Sequence, residues 1–219
     1  LCTIVSKLPP WVRIARLVRD FHIATEKNQG MGYVSDTIKS NMAQMVDTRL
    51  KKEAPIYNEI KSREVRNNIV DLNKLHFKIN SYECSVQFPE YAGREYFGSL
   101  EAPDNNSVDR LVGLFRLRLN NNNIEAKLRE VHVYGGYIPK GFNPKENSKI
   151  VQHRGYGKRL INIAEMISYF YGYRRVSIIS APGTVQYYIK RGYNRRGRYL
   201  VKDLNFKNFI TLIYKDIFF

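Results

Sequence analysis

Only two cysteines, Cys2 and Cys84, occur in the 219 residues. They lie far apart and belong to no C-x-x-C pair, which argues against a disulfide framework and leads us to expect a reducing, cytoplasmic setting. No run of about 18 apolar residues is present, so no membrane span is expected. The four histidines, His22, His76, His132 and His153, never recur at i, i+3 or i, i+4, and no metal site is read from them. Acidic residues are in deficit: 20 Asp and Glu stand against 36 Lys and Arg, a net charge of +16. Such an excess favours a polyanionic partner, although charge alone does not separate nucleic acid from an acidic membrane surface. The Leu1–Leu8 stretch is too short for a signal peptide and has no small-residue cleavage pattern. A start at Leu1 without Met raises the expectation of a fragment or a processed chain.

The hydrophobic content of 43% is ordinary for a folded domain. After an irregular, arginine-bearing piece around Pro9-Pro10-Trp11, a helix is expected from Ser35-Asp36 to Leu50, with Ile38, Met42, Met45, Val46 and Leu50 as its apolar stripe and Pro55 as its stop. The charge run Lys61-Ser62-Arg63-Glu64-Val65-Arg66 reads as a solvated face. Then the pattern changes to short aromatic and branched strands over residues 77–88, 96–101, 111–119 and 128–134. Turn clusters separate them at Pro103–Ser107 and Asn120–Asn123. Residues 137–149 read as a loop and residues 158–171 as a helix stopped by Gly172. A buried strand follows over Val176–Ser180, then a short helix capped by Thr184, and a last strand over Tyr199–Leu204. The apolar tail, Asn205–Phe219, suits either a core cover or a partner surface.

Between the fourth strand and the long helix stands Gln152-His153-Arg154-Gly155-Tyr156-Gly157. Two glycines ahead of a helix allow a tight turn and a close backbone approach, and the helix N-terminus behind them offers N–H donors and a positive dipole end. A plain turn explains the same residues. The dinucleotide fingerprint is excluded because Leu160 stands at its third glycine, and a Walker loop because Arg159 replaces its Ser/Thr.

Gln152, Gly155 and Gly157 match the acetyl-CoA motif Gln/Arg-x-x-Gly-x-Gly/Ala, and the chain resembles the GNAT acetyltransferase superfamily. The closer resemblance is to the Elongator catalytic-subunit family, which modifies the wobble uridine of tRNA. It is carried by Pro9-Pro10-Trp11, Arg63-Glu64-Val65, Gly113–Arg118, Arg129–Gly135, Gln152–Gly157, Ala164-Glu165, Ile178-Ile179-Ser180, Tyr187-Tyr188, Gly192-Tyr193 and Tyr199–Lys202, in family order. The resemblance implies an α/β (α+β) fold: a mixed, mostly antiparallel GNAT sheet flanked by helices over residues 76–204. A remnant of a radical S-adenosylmethionine (SAM) barrel is implied over residues 1–75, and the tail occupies 205–219. The implied cofactor is acetyl-CoA. An iron–sulfur cluster and SAM belong only to a full-length family protein, because the three closely spaced cluster cysteines are absent here.

The implied cofactor residues are Val131, His132 and Val133 on the strand, Gln152, His153, Arg154, Gly155, Tyr156, Gly157 and Lys158 at the helix start, and Tyr187 and Tyr188. The catalytic candidates are Tyr188, preferred as the group near the thioester sulfur, Tyr187, and Glu130 as a base or water-orienting group. Taken without the family, the two tyrosines read as core and Glu130 as a paired surface carboxylate. The RNA candidates are Arg13, Arg16, Arg19, Lys51, Lys52, Arg63 and Arg66. A second basic face holds Arg174, Arg175, Lys190, Arg191, Arg195, Arg196 and Arg198, with Tyr173, Tyr193 and Tyr199 offered for base stacking. The partners implied are a tRNA anticodon stem-loop and companion subunits of the Elongator type, with no membrane. The rival readings are a GNAT protein-lysine acetyltransferase and a non-catalytic tRNA-binding module.

Overall fold

The computed structural model describes residues 2–15, 45–46, 48–49, 52, 58–66, 68–84, 92–121, 123–135, 154–207 and 210. It divides into two units, Leu1–Glu64 and Val65–Phe219. The division places residues 65–75 with the second unit, ahead of the boundary at residue 75 read from the sequence. Val65 N–H bonds to Leu111 O and Asp71 N–H to Pro103 O, which ties this segment to the sheet.

The first unit contains α1 (Cys2–Ser6) and α2 (Ile60–Arg63). Val5 and Val46 form its buried cluster, with Cys2 and Ile14 packed against them. Glu59 caps α2: its carboxylate accepts from Ser62 N at 2.6 Å and Lys61 N at 2.9 Å, filling donors that a helix start leaves open. Of the helix expected over 35–50, only Met45, Val46, Thr48 and Arg49 fall among the described residues, and Met45 is exposed rather than part of a buried stripe.

The second unit is built on one seven-stranded sheet in the order β1-β2-β3-β4-β5-β7-β6. Its strands are β1 (His76–Cys84), β2 (Gly93–Pro103), β3 (Asp109–Asn120), β4 (Glu125–Val133), β5 (Arg175–Ile178), β6 (Asn194–Arg196) and β7 (Tyr199–Asp203). All neighbours are antiparallel except β4 and β5. The expected mixed, mostly antiparallel α/β fold is present. Phe97, Phe115, Leu100, Leu114, Leu117 and Leu128 are fully buried in its central strands, each worth roughly 1.5–3 kcal/mol by removal from water. Asp104 closes the β2–β3 turn, accepting from Asn106 N, Val108 N and Arg110 Nε.

The helix α3 (Tyr156–Phe170) crosses between the two parallel strands and buries Leu160, Ile161 and Ala164. Gly113 on β3 permits the contact: a Cβ there would lie 2.9 Å from His132 O and 3.0 Å from Leu160 Cδ1. After β5 comes α4 (Val185–Ile189).

Three local expectations change. Ile179 is 66% exposed, because β5 ends at Ile178 instead of running to Ser180. Thr184 does not cap α4; its hydroxyl donates back to Ala181 O at 3.1 Å. β6 is an additional strand, all three of its residues exposed at the sheet edge, where no apolar alternation is needed to hold it.

Candidate functional site

β4 and β5 pair only from Glu125↔Arg175 to Lys127↔Ser177. Beyond Lys127, β4 continues to Val133 along β3, and among the described residues the backbone of Leu128–Val133 has no strand partner on its β5 side. The parting begins at a bulge. β3 residues Leu117 and Arg116 face Leu128 and Glu130, which leaves Arg129 as an extra residue, and such an insertion bends a strand and increases its twist. The crossover helix α3 starts at this gap.

Gly155 is the N-cap of α3, at φ 86 and ψ 2, and no side chain caps the helix. Among the described residues no side chain meets its first N–H groups, which suits them to a ligand or solvent. No acidic residue lies in the first turn, while Arg154, Lys158 and Arg159 surround it. Cations at the positive end of a helix dipole oppose it, and an anion seated there relieves both. Gly157 keeps the approach open: a Cβ there would stand 3.6 Å from the Tyr187 hydroxyl and 3.7 Å from Val133 Cγ2, so α3, β4 and α4 converge at this point. Burial pushes the Tyr156 phenol up, against the lowering effect of Arg154 and Arg159. Val131 and Val133 are half-buried, and His132 is exposed with its ring 4.3 Å from that of Tyr134. Gln152 and His153 lie outside the described residues.

The two tyrosines of α4 diverge. Tyr187 is 42% exposed with its hydroxyl toward Gly157. Tyr188 is buried, its ring edge-on to Tyr187 at 5.3 Å and to Tyr193 at 5.6 Å. Burial, then the Tyr187 phenol, push Tyr188 up to about 12, with Arg191 acting in the opposite direction. A phenol so placed holds its proton at neutral pH and suits an acid rather than a base.

Glu130 sits on the sheet face away from α3. Its carboxylate accepts from Arg116 Nε at 2.9 Å, and Arg116 also lies 4.0 Å from Glu95. Buried Glu95 takes further bonds from Arg129 and from the Tyr82 hydroxyl. Glu130 is thus held as one member of an ion-pair chain, which engages the carboxylate a base would need free.

The basic candidates fare unequally. Lys52 and Arg66 are exposed, and Arg13 is 45% exposed while paired to Glu64 at 2.8 Å. Arg63 is buried, donating to Pro10 O at 2.7 Å and Asn58 O at 2.8 Å, so it is an internal tie rather than part of a solvated face. Glu64 and Val65 are buried as well. Charge counting cannot see two waiting carbonyls. Arg16, Arg19 and Lys51 lie outside the described residues. In the second unit Arg174, Lys190, Arg195, Arg196 and Arg198 are exposed, but Tyr193 is fully buried and Tyr173 9% exposed, which leaves Tyr199 as the open ring of the three.

Two clusters escape a reading by sequence spacing because their members come from segments far apart in the chain. Glu165 accepts from the Tyr193 hydroxyl and from Lys202 Nζ inside the core. His76, Glu101 and Asp109 bring ligand-type atoms within 4.8 Å of one another, but Lys78 Nζ already bridges the carboxylates at 2.9 and 2.8 Å. Among the described residues, no helix is long and apolar enough to cross a membrane.

No protein-family profile matches the chain. In a 214-position alignment that covers 92% of the chain, it is 32% identical to Elongator complex protein 3 of Bos taurus, of which it covers 36%. The same identity holds over 218 residues with Elongator complex protein 3 of Drosophila melanogaster, covering 94% of this chain and 36% of that one. Among solved structures it is similar to the archaeal Methanocaldococcus infernus Elp3 with an N-terminal deletion, at TM-score 0.68 and 29% identity over 93% of this chain and 47% of that chain. The chain thus spans little more than a third of the length of the curated relatives it matches.

Proposed function

Since the chain is a homologue of part of Elongator complex protein 3, we propose that it is an acyltransferase domain of the GNAT type that binds acetyl-CoA at the β4/β5 gap and cleaves it in response to tRNA. The acetyl unit is destined for C5 of wobble uridine 34, a carbon–carbon bond that the residues of this chain do not themselves make, in a cytoplasmic setting consistent with two free cysteines. One observation carries the reading: a cation-ringed helix start with no side-chain cap among the described residues opens onto the β5-side edge of β4, which no described strand pairs over residues 128–133.

The residues fit the cofactor. The α3 N–H groups with Arg154 and Lys158 suit a pyrophosphate, and Gly157 leaves room for it. The free edge of Leu128–Val133 suits the amides of a pantetheine arm, which an extended ligand pairs as an added strand. Bound there, acetyl-CoA supplies an activated acyl group on sulfur. Tyr188, whose phenol stays protonated, gives its proton to the departing thiolate; in a hydrolytic turnover water adds its hydroxyl to the acyl carbon to complete the acetate, and its other proton restores the Tyr188 phenol. Tyr187 lines the seat. The iron–sulfur chemistry of a full-length relative does not fit this chain, since Cys2 and Cys84 do not furnish three closely spaced thiolates.

tRNA binds through the exposed arginines and lysines, and companion Elongator-type subunits remain compatible partners. Direct transfer to a protein lysine is the rival chemistry, and a basic domain is a poor match for basic protein tails. The test is release of free CoA from acetyl-CoA with tRNA, with a basic peptide and with neither. Release stimulated by tRNA alone is expected. Peptide acetylation establishes the rival, and no release with tRNA binding retained reduces the chain to a tRNA-binding module.

A further inference from the structure

Arg191, just past the end of α4, counts by sequence alone as one more surface cation. Its position is different. Nη2 donates to Asn162 Oδ1 at 2.8 Å and reaches Lys158 O at 3.4 Å, both on α3. Asn162 is itself buried, at 3% exposure. The guanidinium carbon lies 5.3 Å from the centre of the Tyr187 ring, so the planar group covers that ring while its edge is tied to the helix. Arg191 Nε is buried and has no hydrogen-bond partner among the described residues.

A buried, unmet donor is unfavourable, and a leucine at this place would bury itself without that loss. The guanidinium does what leucine cannot: it holds a ring by its face and a helix by its edge at once. The ring it holds is the one whose hydroxyl stands over Gly157.

We propose that Arg191 is a positioning residue that locks Tyr187 against the first turns of α3 and so completes the wall of the acyl-carrier seat. Asn162 is the anchor, Arg191 the strut and Tyr187 the part that meets the ligand. The inference rests on the reading of the gap as an acetyl-CoA site, and it assigns Arg191 to affinity rather than to proton transfer. Loss of the strut therefore raises KM and leaves turnover at saturation in place.

The full chain is compared with Arg191→Leu and Arg191→Lys, the second keeping charge and length while losing the plane. Calorimetric titration with CoA and steady-state release from acetyl-CoA in the presence of tRNA are measured beside nitration of Tyr187 by tetranitromethane, mapped by mass spectrometry. Both variants are expected to bind CoA about ten-fold more weakly with kcat within about two-fold, and to nitrate faster at Tyr187. In a Tyr187→Ala background, Arg191→Leu is expected to add nothing. Unchanged nitration in Arg191→Lys overturns the proposal, as does an affinity loss that persists undiminished in the Tyr187→Ala background. If the unsubstituted chain binds no CoA, the cofactor reading fails, while the nitration comparison still decides whether Arg191 positions Tyr187.

Discussion

At the scale of single residues, the two tyrosines of α4 face opposite ways, and which of them meets the ligand depends on what lies behind each. Tyr193 and burial take Tyr188 inward, whereas Arg191 holds Tyr187 outward over Gly157. Replacing Tyr188 by Phe is expected to lower kcat for CoA release by roughly 10²-fold with tRNA affinity unchanged; a variant that turns over normally removes this phenol from the chemistry. The same phenol governs an alkaline limit. Its folded value of about 12 exceeds its ordinary value of 10.0, so its contribution to stability is complete below pH 10 and is lost as pH climbs toward 12. Tyr96, also raised to about 12 by burial and the Tyr171 hydroxyl, acts in the same direction. Thermal melting is expected to be flat with respect to these groups from pH 7 to 9 and to fall progressively from pH 10 upward. Arg63 was misplaced by its sequence neighbours, because the two carbonyls that bury it come from Pro10 and Asn58.

Elements with strong patterns were the legible ones. β2 and β3 carry dense aromatic and branched residues, and α3 repeats its apolar positions at helical spacing, so each was found within a few residues of its ends. β6 was missed because Asn194-Arg195-Arg196 has no buried side to write into the sequence. The bulge at Arg129 was also unreadable, since an extra residue is defined only against its partner strand. Gly155-Tyr156-Gly157 was legible as a turn before a helix, but its facing gap was not, because β5 lies more than forty residues from β4. Two glycine substitutions separate packing from access. Gly113→Ala places a methyl against His132 O and Leu160, and a loss of about 1–3 kcal/mol is expected in denaturant unfolding. Gly157→Ala meets only ordinary contacts at 3.6 and 3.7 Å, so its melting temperature should hold while CoA affinity falls. Equal affinity in that variant would place the ligand elsewhere.

For the molecule as a whole, the +16 charge is distributed unevenly in its use. Some cations are internal struts, such as Arg63, Arg191 and Lys202, and others stand in solvent on the β6–β7 hairpin. Only the exposed set can exchange counterions with RNA. tRNA affinity is expected to fall linearly on a log–log plot against salt, steeply enough to count several phosphates, and a flat response would sink the electrostatic account. The open side of β4 carries a last consequence, for persistence rather than catalysis. A row of backbone donors and acceptors in mid-sheet is unfinished secondary structure, and such an edge invites association with other chains. A ligand that pairs with it adds to folding free energy by mass action, about 2.7 kcal/mol at a hundred times its Kd. The lifetime of the folded chain should therefore track the supply of acetyl-CoA, with starvation for the acyl donor exposing the protein to aggregation and proteolysis before any substrate is missed.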